Sequence, residues 1–271
     1  MPTTRTLGFL GTGQMATALA RGFLKAGLVK ASELLGSDPN PDARQSFSRE
    51  TGGRSVRTNR EVIAEARVLV LAVKPNHVGE VLEEIRPLFT SEHVLISIAA
   101  GVSLERLESG LPAGARVVRV MPNTPALVGA AASAFCPGRN ATTQDIRLTQ
   151  RLLAAVGLAV EVPEALLNAV TGLSGSGPAY VCQFVEGLTD GGVACGLPRP
   201  IAFQLAVQTV AGTIQLMKEK GLHPAQVKEM VTSPGGTTIE GLQALAEGAF
   251  QGVLMKAVRR ATETAARLSS S

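Results

Sequence analysis

Aromatic residues, cysteine and histidine are scarce in this chain of 271 residues. It has no tryptophan and one tyrosine, which argues against the aromatic platforms that bind single-stranded nucleic acid. Its three cysteines, Cys136, Cys182 and Cys195, are widely spaced and form no CxxC pair, so we expect no disulfide framework and a reducing compartment. Its three histidines are far apart in sequence. They lack the spacing of metal ligands, and we expect no metal site.

Long apolar runs and a strong charge imbalance are missing too. The longest apolar run, near residues 94–102, is interrupted by Ser97 and Gly101 and falls short of the roughly 20 residues that a membrane span needs. Only a short apolar stretch follows Arg5 before a glycine turn, so we expect no secretory signal. The net charge of +4 comes from scattered basic residues. We expect a cytoplasmic protein that binds an anionic small molecule rather than nucleic acid or membrane.

Residues 5–160 alternate between two patterns. Short apolar runs predict buried strands at Leu7–Leu10, Leu34–Gly36, Val68–Val73, Val94–Ile98 and Val117–Val120. Helical stretches lie between them at Gln14–Ala26, Pro41–Glu50, Val78–Ile85, Leu104–Leu107 and Gln144–Ala155. Strands without polar alternation, separated by helices, indicate a parallel sheet covered on both faces. The pattern predicts an α/β protein with an N-terminal Rossmann-like, doubly wound sheet.

After about residue 164 the pattern becomes entirely helical. Helices are predicted at Leu166–Thr171, Ala179–Cys195, Ile201–Lys220, Ala225–Met230, Thr238–Glu247 and Gln251–Leu268. The stretch Ile201–Met217 is apolar on more than one face, and such a helix needs burial on two sides. A small helical domain offers few places for this, so we expect a subunit partner. The predicted domains are 1–164, for dinucleotide binding, and 165–271, for substrate binding and dimerisation.

The strongest local signal is a glycine-rich turn at residues 7–16, which reads LGFLGTGQMA. It has the form G-x-G-x-x-A between a predicted strand and a predicted helix. Gly11 permits the tight turn, Gly13 lets a pyrophosphate approach the backbone, and Ala16 lets helix and strand pack closely. The anion would then lie at the helix N-terminus. In this context the turn indicates dinucleotide binding, and the alternative is a tight packing turn.

The end of the second predicted strand normally separates NAD from NADP. Asp38 stands where an acid could bind the ribose 2′-hydroxyl, whereas Ser37 and Arg44 suit a 2′-phosphate. Alternatively, Asp38 and the following proline form only a turn. Lys74 and Asn123 each lie in a proline-stiffened loop after a strand, at the sheet edge where ligands bind. They could contact the cofactor, or be a solvated lysine and a turn asparagine.

Two further glycine-rich segments precede helices in the second half. Residues 171–179, TGLSGSGPA, resemble a nucleophile elbow only superficially, because the G-x-S-x-G spacing fails. In residues 231–238, VTSPGGTT, Ser233 is predicted to cap the next helix and Pro234 to begin it. The following glycines and threonines offer N–H groups and hydroxyls, so the segment is either an anion nest suited to a carboxylate or a structural capping loop.

Together these motifs are familiar. FLGTGQMA, LAVKP, AAGVSLERL, RVMPNTPALVG, AVTGLSGSGPAY, DGGVACGLPR and MVTSPGGTTIEGL occur in this order along nearly the whole chain. In this combination the sequence resembles the Δ1-pyrroline-5-carboxylate reductase family, whose members catalyse the last step of proline synthesis. The last two glycine-rich motifs are the most specific to that family, because G-x-G-x-x-A alone would not separate it from other dehydrogenases.

The resemblance implies hydride transfer from NAD(P)H to the C=N carbon of pyrroline-5-carboxylate, giving L-proline. It also implies a homodimer as the minimum unit, which in this family commonly assembles further into a decamer. We expect NADPH as cofactor, with NADH also accepted. Asp38 is a departure, because NADP-using members often have a small or polar residue there.

Matching the family motifs places Ser37 and Asn59 at the ribose and its 2′-phosphate, and Thr238 near the imine nitrogen. The full set implied for the cofactor is Gly11, Gly13, Gln14, Met15, Ser37, Asn59, Ala72, Val73, Lys74, Pro75, Ala99, Ala100, Gly101, Met121 and Asn123. The set implied for the substrate is Ser176, Val231, Ser233, Gly235, Gly236, Thr237 and Thr238, with Thr238 as the catalytic residue.

Two other functions are the alternatives to this one. The β-hydroxyacid dehydrogenases have a similar two-domain plan, but they use a lysine early in the second domain, where residues 165–173 contain Asn168 and no lysine. A non-catalytic redox sensor would bind dinucleotide without turnover, and the complete SPGGTT segment argues against it. Since a cyclic imine is partly protonated near neutral pH, reduction requires positioning more than a strong general acid.

Overall fold

One eight-stranded sheet organises residues 7–161 of the computed structural model, which describes residues 7–269. Met1–Thr6, on which the expectation about a secretory signal partly rests, and Ser270–Ser271 lie outside the described residues. The strands are β1 Leu7–Leu10, β2 Leu34–Ser37, β3 Arg54–Val56, β4 Val68–Leu71, β5 Val94–Ser97, β6 Arg116–Met121, β7 Ala131–Pro137 and β8 Gly157–Glu161. Their order is β3-β2-β1-β4-β5-β6-β7-β8.

This order places the first strand centrally and winds the chain outward in both directions, as in a Rossmann fold. Neighbouring strands are parallel except for β6 and β7, which are antiparallel and pair Val118 with Pro137 and Met121 with Ala134. The predicted fold class, a Rossmann-like sheet followed by helices, is confirmed. The antiparallel pair makes β7 and β8 run opposite to β1–β6, which the sequence pattern did not predict.

The α-helices within the described residues alternate with the strands and then continue alone. They are α1 Gln14–Lys25, α2 Pro41–Thr51, α3 Asn59–Glu65, α4 Val78–Ile85, α5 Leu104–Ser109, α6 Thr143–Ala154, α7 Leu167–Val170, α8 Gly177–Ala194, α9 Arg199–Lys220, α10 Pro224–Met230, α11 Thr237–Glu247 and α12 Phe250–Ser269. A π-helical turn, Thr171–Gly175, follows α7. No helix within residues 7–269 is long and apolar enough to cross a membrane.

Four elements were not predicted from the sequence: β3, β7, β8 and α3. β3 is only three residues long and partly exposed at the sheet edge. β7 reads AASAFCP and is rich in alanine, which is depleted in strands. β8 is the other edge strand and is largely exposed, with Leu158 63% accessible. α3 has only seven residues, and a Thr58–Glu61 capping box fixes its start.

Apolar side chains pack on both faces of the sheet. On one face α1 and α2 bring Phe23 and Phe47 against Phe9 of the central strand, with ring centroids 6.4 and 5.6 Å from that of Phe9. On the other face Val62 of α3, Leu82 of α4 and Leu107 of α5 are buried. Because both faces are covered, the central strands are apolar throughout, and this rigid layer fixes the loops at its carboxyl edge.

The chain divides into two compact units. The first unit comprises Met1–Ser176 together with Arg260–Ser271, and the second comprises Gly177–Arg259. The second unit is helical, and α8 and α9 pack closely at Gly192 and Ala202. Its surface is unusually apolar. The α9 side chains of Ile201, Phe203 and Leu205 are each about half exposed, at 48%, 54% and 54%. The two-sided apolar character predicted for this helix is therefore present, and the single chain does not bury it.

Candidate active site

The glycine-rich turn between β1 and α1 forms an open cradle. Gly11 has φ +95°, and a Cβ there would lie 2.7 Å from the carbonyl oxygen of Ala72, so only glycine fits. α1 begins at Gln14, and its N-cap Gly13 provides no side-chain hydrogen bond. A Cβ on Gly13 would meet nothing within 4 Å. The first N–H groups of α1 are thus accessible to an anion, and this geometry fits the pyrophosphate of a dinucleotide.

The other predicted cofactor loops follow strands at the same edge of the sheet. Ala72–Pro75 follow β4, and Ala99–Gly101 follow the end of β5. Met121 ends β6, and Asn123 lies in the loop after it. Lys74 is exposed, and Ala99 is buried. The sheet brings these loops to the edge at which ligands bind in doubly wound folds. The individual cofactor contacts remain predictions.

Asp38 forms part of the turn that supports the glycine-rich cradle. One carboxylate oxygen accepts the backbone N–H of Thr12 at 3.0 Å, and the other accepts that of Asn40 at 2.9 Å. The Arg44 guanidinium donates to the carbonyl oxygens of Asp38 and Pro39 at 2.6 and 3.1 Å. Asp38 therefore forms a turn, which is one of the two roles predicted for it. Its contact with a ribose hydroxyl, and that of Arg44 with a 2′-phosphate, stay predictions.

Ser37 and Asn59, both predicted to lie at the cofactor's ribose, contact each other directly. Ser37 Oγ donates to Asn59 Oδ1 at 2.7 Å. Asn59 Nδ2 donates in turn to Glu84 Oε2 at 2.6 Å. Ser37 is buried, whereas Asn59 and Glu84 are half-buried. Sequence reasoning missed Glu84, because nothing in the spacing of α4 connects it with a residue 25 positions earlier.

The π-helical turn holds the loop after β6. Asn123 Nδ2 donates to the carbonyl oxygen of Ser174 at 3.0 Å, and Asn123 Oδ1 accepts the backbone N–H of Ala132 at 2.9 Å. The methyl of Met121 lies against Gly175, where an added Cβ would come within 2.5 Å of it. π-helical turns are rare overall, and those that occur often lie at functional sites. This turn contacts Met121 and Asn123 and directly precedes Ser176.

The segment predicted to bind substrate forms an exposed turn before α11. Ser233 and Gly236 close the turn through Gly236 N to Ser233 O at 3.1 Å, and Gly235 has φ +67°. α11 begins at Thr237 with Gly236 as N-cap, so the prediction that Ser233 caps this helix and Pro234 begins it is wrong. A Pro-Gly pair is favoured at the centre of a tight turn, and here that preference prevails over helix initiation.

The N-terminus of α11 is left without a side-chain cap. Thr237 is exposed and Thr238 half-buried at the start of the helix, and Val231 is 61% exposed just before the turn. Main-chain N–H groups and two hydroxyls are thus accessible in one place, which suits a carboxylate. Among the described residues, no group of three or more acidic, histidine or cysteine side chains could hold a metal ion.

Comparisons with known proteins give this geometry a family. Residues 164–268 match a family described as pyrroline-5-carboxylate reductase dimerisation. Residues 6–101 match a family described as NADP oxidoreductase coenzyme F420-dependent. A pyrroline-5-carboxylate reductase of Methanosarcina acetivorans is 44% identical over 97% of both chains. The chain belongs to the pyrroline-5-carboxylate reductase family.

Solved structures of the family are similar over almost the whole length. The pyrroline-5-carboxylate reductase of Coxiella burnetii is 32% identical, with a TM-score of 0.92 over 98% of this chain and 99% of its own. That of Plasmodium falciparum, solved with NADP bound, is 34% identical, with a TM-score of 0.88 over 98% of both chains. The family and enzyme class expected from the motifs are confirmed, and the helical domain is a dimerisation domain.

Proposed function

We propose that this protein reduces L-1-pyrroline-5-carboxylate to L-proline with NADPH, and also with NADH, as the final step of proline biosynthesis. Hydride is added to the cyclic imine carbon and a proton is retained on the nitrogen. The observation that carries the proposal is the open N-terminus of α11 at Gly236–Thr238, in a chain of this family whose β1–α1 turn fits a dinucleotide.

The first unit supplies the dinucleotide site in this proposal. The bound nicotinamide cofactor supplies the hydride. Gly11, Gly13, Gln14 and Met15 would hold its pyrophosphate, and Ser37 and Asn59 its adenosine ribose. The loops Ala72–Pro75 and Ala99–Gly101, with Met121 and Asn123, would hold its nicotinamide half. Asn123 is positioned for this by its two backbone partners, Ser174 and Ala132.

The substrate carboxylate is assigned to the turn before α11. Ser233, Gly235, Gly236 and Thr237 offer hydroxyls and N–H groups at a helix N-terminus, with Val231 beside them and Ser176 as a further ligand. Thr238 is the proposed catalytic residue, because its hydroxyl would hydrogen-bond the ring nitrogen. The segment 231–238 contains no titratable side chain, so the chain's contribution to the reaction is to bind and orient an iminium that already carries its proton.

The proposed assembly and location extend the same reasoning. A homodimer is the minimum unit, supported by the exposed apolar side chains of α9, and a decamer is its possible further assembly. Dinucleotide binding is assigned to residues 1–164, and substrate binding with dimerisation to residues 165–271. The family match that begins at residue 164 supports this division. The proposed location is the cytoplasm.

The alternative function to be tested is that of a β-hydroxyacid dehydrogenase. The region where those enzymes carry a lysine has Asn168, whose Oδ1 accepts the Ser269 hydroxyl at 3.2 Å, so it has a structural contact instead. The deciding experiment follows oxidation of NADPH and NADH with pyrroline-5-carboxylate and with a panel of β-hydroxyacids. Turnover of the imine alone supports the proposal. Turnover of a hydroxyacid, or binding of NADPH without turnover of either, would contradict it.

A further inference from the structure

The carboxylate of Glu84, on α4, is bound to the residues proposed to receive the cofactor's ribose. Its Oε1 accepts the backbone N–H groups of Asn59 and Arg60 at 3.1 and 3.4 Å, and its Oε2 accepts Asn59 Nδ2 at 2.6 Å. Glu84 is half-buried one residue from the end of the helix. It therefore brings a negative charge directly beside Asn59.

This contact fixes which way the Asn59 side chain points. An ionised carboxylate accepts hydrogen bonds and cannot donate them, so Glu84 requires the amide nitrogen of Asn59 to face it. The amide oxygen then faces Ser37, and the Ser37 hydroxyl hydrogen points to that oxygen at 2.7 Å. The Ser37 hydroxyl hydrogen is therefore used in the bond to Asn59. Toward any other partner, Ser37 Oγ can act only as a hydrogen-bond acceptor.

Both effects of Glu84 act on the group that distinguishes the two cofactors. NADH has a 2′-hydroxyl, which can donate to lone pairs on Ser37. NADPH has a 2′-phosphate, which at neutral pH is an anionic acceptor and is disfavoured by lone pairs and by a nearby carboxylate. We propose that Glu84, acting through Asn59 and Ser37, limits the preference for NADPH and lets NADH be used. This inference rests on the proposed placement of the ribose at Ser37 and Asn59.

The test removes the charge and keeps the shape. In Glu84→Gln the new amide can donate to Asn59 Oδ1, which lets Asn59 Nδ2 turn to Ser37. The Ser37 hydroxyl can then donate to a 2′-phosphate, and the Phe9 carbonyl oxygen, at a long 3.4 Å, is the competing acceptor. Two adenosine fragments report on this without catalysis: adenosine 2′,5′-bisphosphate, which carries the 2′-phosphate, and 5′-AMP, which does not. Their dissociation constants are measured by calorimetry on the full-length protein. Thermal melting checks that each variant is folded.

We expect Glu84→Gln to bind the bisphosphate about threefold to tenfold more tightly, because one negative charge near the 2′-phosphate is removed and solvent partly screens it. The affinity for 5′-AMP should not change. The matched control is Glu83→Gln, the exposed neighbour on α4, which removes the same charge without a contact to Asn59 and should change neither. Asn59→Ala should abolish the gain from Glu84→Gln if the effect passes through Asn59.

Four results would overturn the inference. Equal weakening of both fragments in Glu84→Gln would make Glu84 only a support for the start of α3. An unchanged ratio of the two affinities, or an equal gain in Glu83→Gln, would remove its specific role. If Asn59→Ala changes the affinity for neither fragment, the ribose does not lie at Ser37 and Asn59. That outcome also refutes the proposed ribose site, whereas the others leave it standing.

Discussion

The side-chain nitrogen of Asn123 donates to the backbone carbonyl of Ser174 over 3.0 Å, although 51 residues separate them in sequence. Through its oxygen the same carboxamide holds the N–H of Ala132. One buried side chain thus ties the loop after β6 to the first residues of β7 and to the π-helical turn.

Loss of this carboxamide should destabilise the sheet unit. Asn123→Ala leaves a carbonyl and an N–H without their partner. Because Ser174 and Ala132 are half-buried, each loss costs about 1–2 kcal/mol, the lower part of the range for buried groups. We expect the free energy of unfolding to fall by about 2–4 kcal/mol and NADPH to bind more weakly. Denaturant unfolding and cofactor titration measure both. Thr124→Ala, at the exposed neighbouring position, is the control, and an equal loss there would refute the bridging role.

Thr238→Ala tests the proposed hydrogen bond to the imine nitrogen. A hydrogen bond to a charged group is worth about 1.5–3 kcal/mol, so kcat/KM should fall roughly tenfold to a hundredfold. NADPH affinity should be retained, because the proposed dinucleotide residues lie in the first unit. Thr238→Ser keeps the hydroxyl and should retain most of the activity. Unchanged turnover with a lower melting temperature would instead make Thr238 only a first-turn helix residue.

The exposed apolar side chains of α9 should be covered in a dimer. An obligate interface buries roughly 2,000 Å² or more, and we expect sedimentation to give no monomer of 28.1 kDa at micromolar concentration. Phe203→Glu places a charge on this surface and should promote dissociation. Gln204→Glu adds the same charge at the next position and serves as the comparison. A monodisperse wild-type monomer would exclude the proposed assembly.

His93 should make the fold sensitive to acid. Burial lowers the pKa of His93 below its ordinary value of 6.5, and the Arg67 guanidinium acts in the same direction, although hydrogen bonding to the Ile63 carbonyl opposes them. The unfolded chain therefore binds this proton more readily than the native one. The contribution of neutral His93 is fully present above about pH 6.5 and is lost as the pH falls from there toward its native pKa.

The measurement compares melting temperatures of the wild type and His93→Asn across this range. The advantage of the wild type should shrink as the pH is lowered from about 7.5 to about 5. Other groups also titrate in acid, so the difference between the two proteins is the informative quantity. His77→Asn, at an exposed position, controls for the loss of a histidine. A difference that stays constant with pH would contradict the prediction.

Local patterns predicted the parts of this molecule that local interactions determine. The short apolar runs in β1, β4 and β5 were apparent because strands buried on both faces consist mainly of apolar residues. The glycine-rich turn was recognisable because Gly11 meets a steric requirement that no other residue meets. By contrast, β7 is alanine-rich, and its place in the sheet depends on pairing with β6 rather than on its own residues.

The candidate site shows the same division. The segment 231–238 was identified from its residues, and the helical run was predicted from Thr238. The cap was assigned to Ser233, three positions before the observed Gly236, because serine before proline is compatible both with a helix cap and with a Pro-Gly turn. Glu84 was missed because its role depends on the packing of α4 beside α3. Only the fold brings its carboxylate to Asn59.

The connectivity of the two units affects how the chain could come apart. Helix α12 starts in the second unit and ends in the first, because residues from Arg260 onward group with the sheet. The helical unit is therefore an insertion, tethered covalently at both of its ends. A single proteolytic cut at Gly221, between α9 and α10, would leave each fragment of the helical unit still attached to part of the first unit. Release of the helical unit requires two cuts, and the second would divide α12.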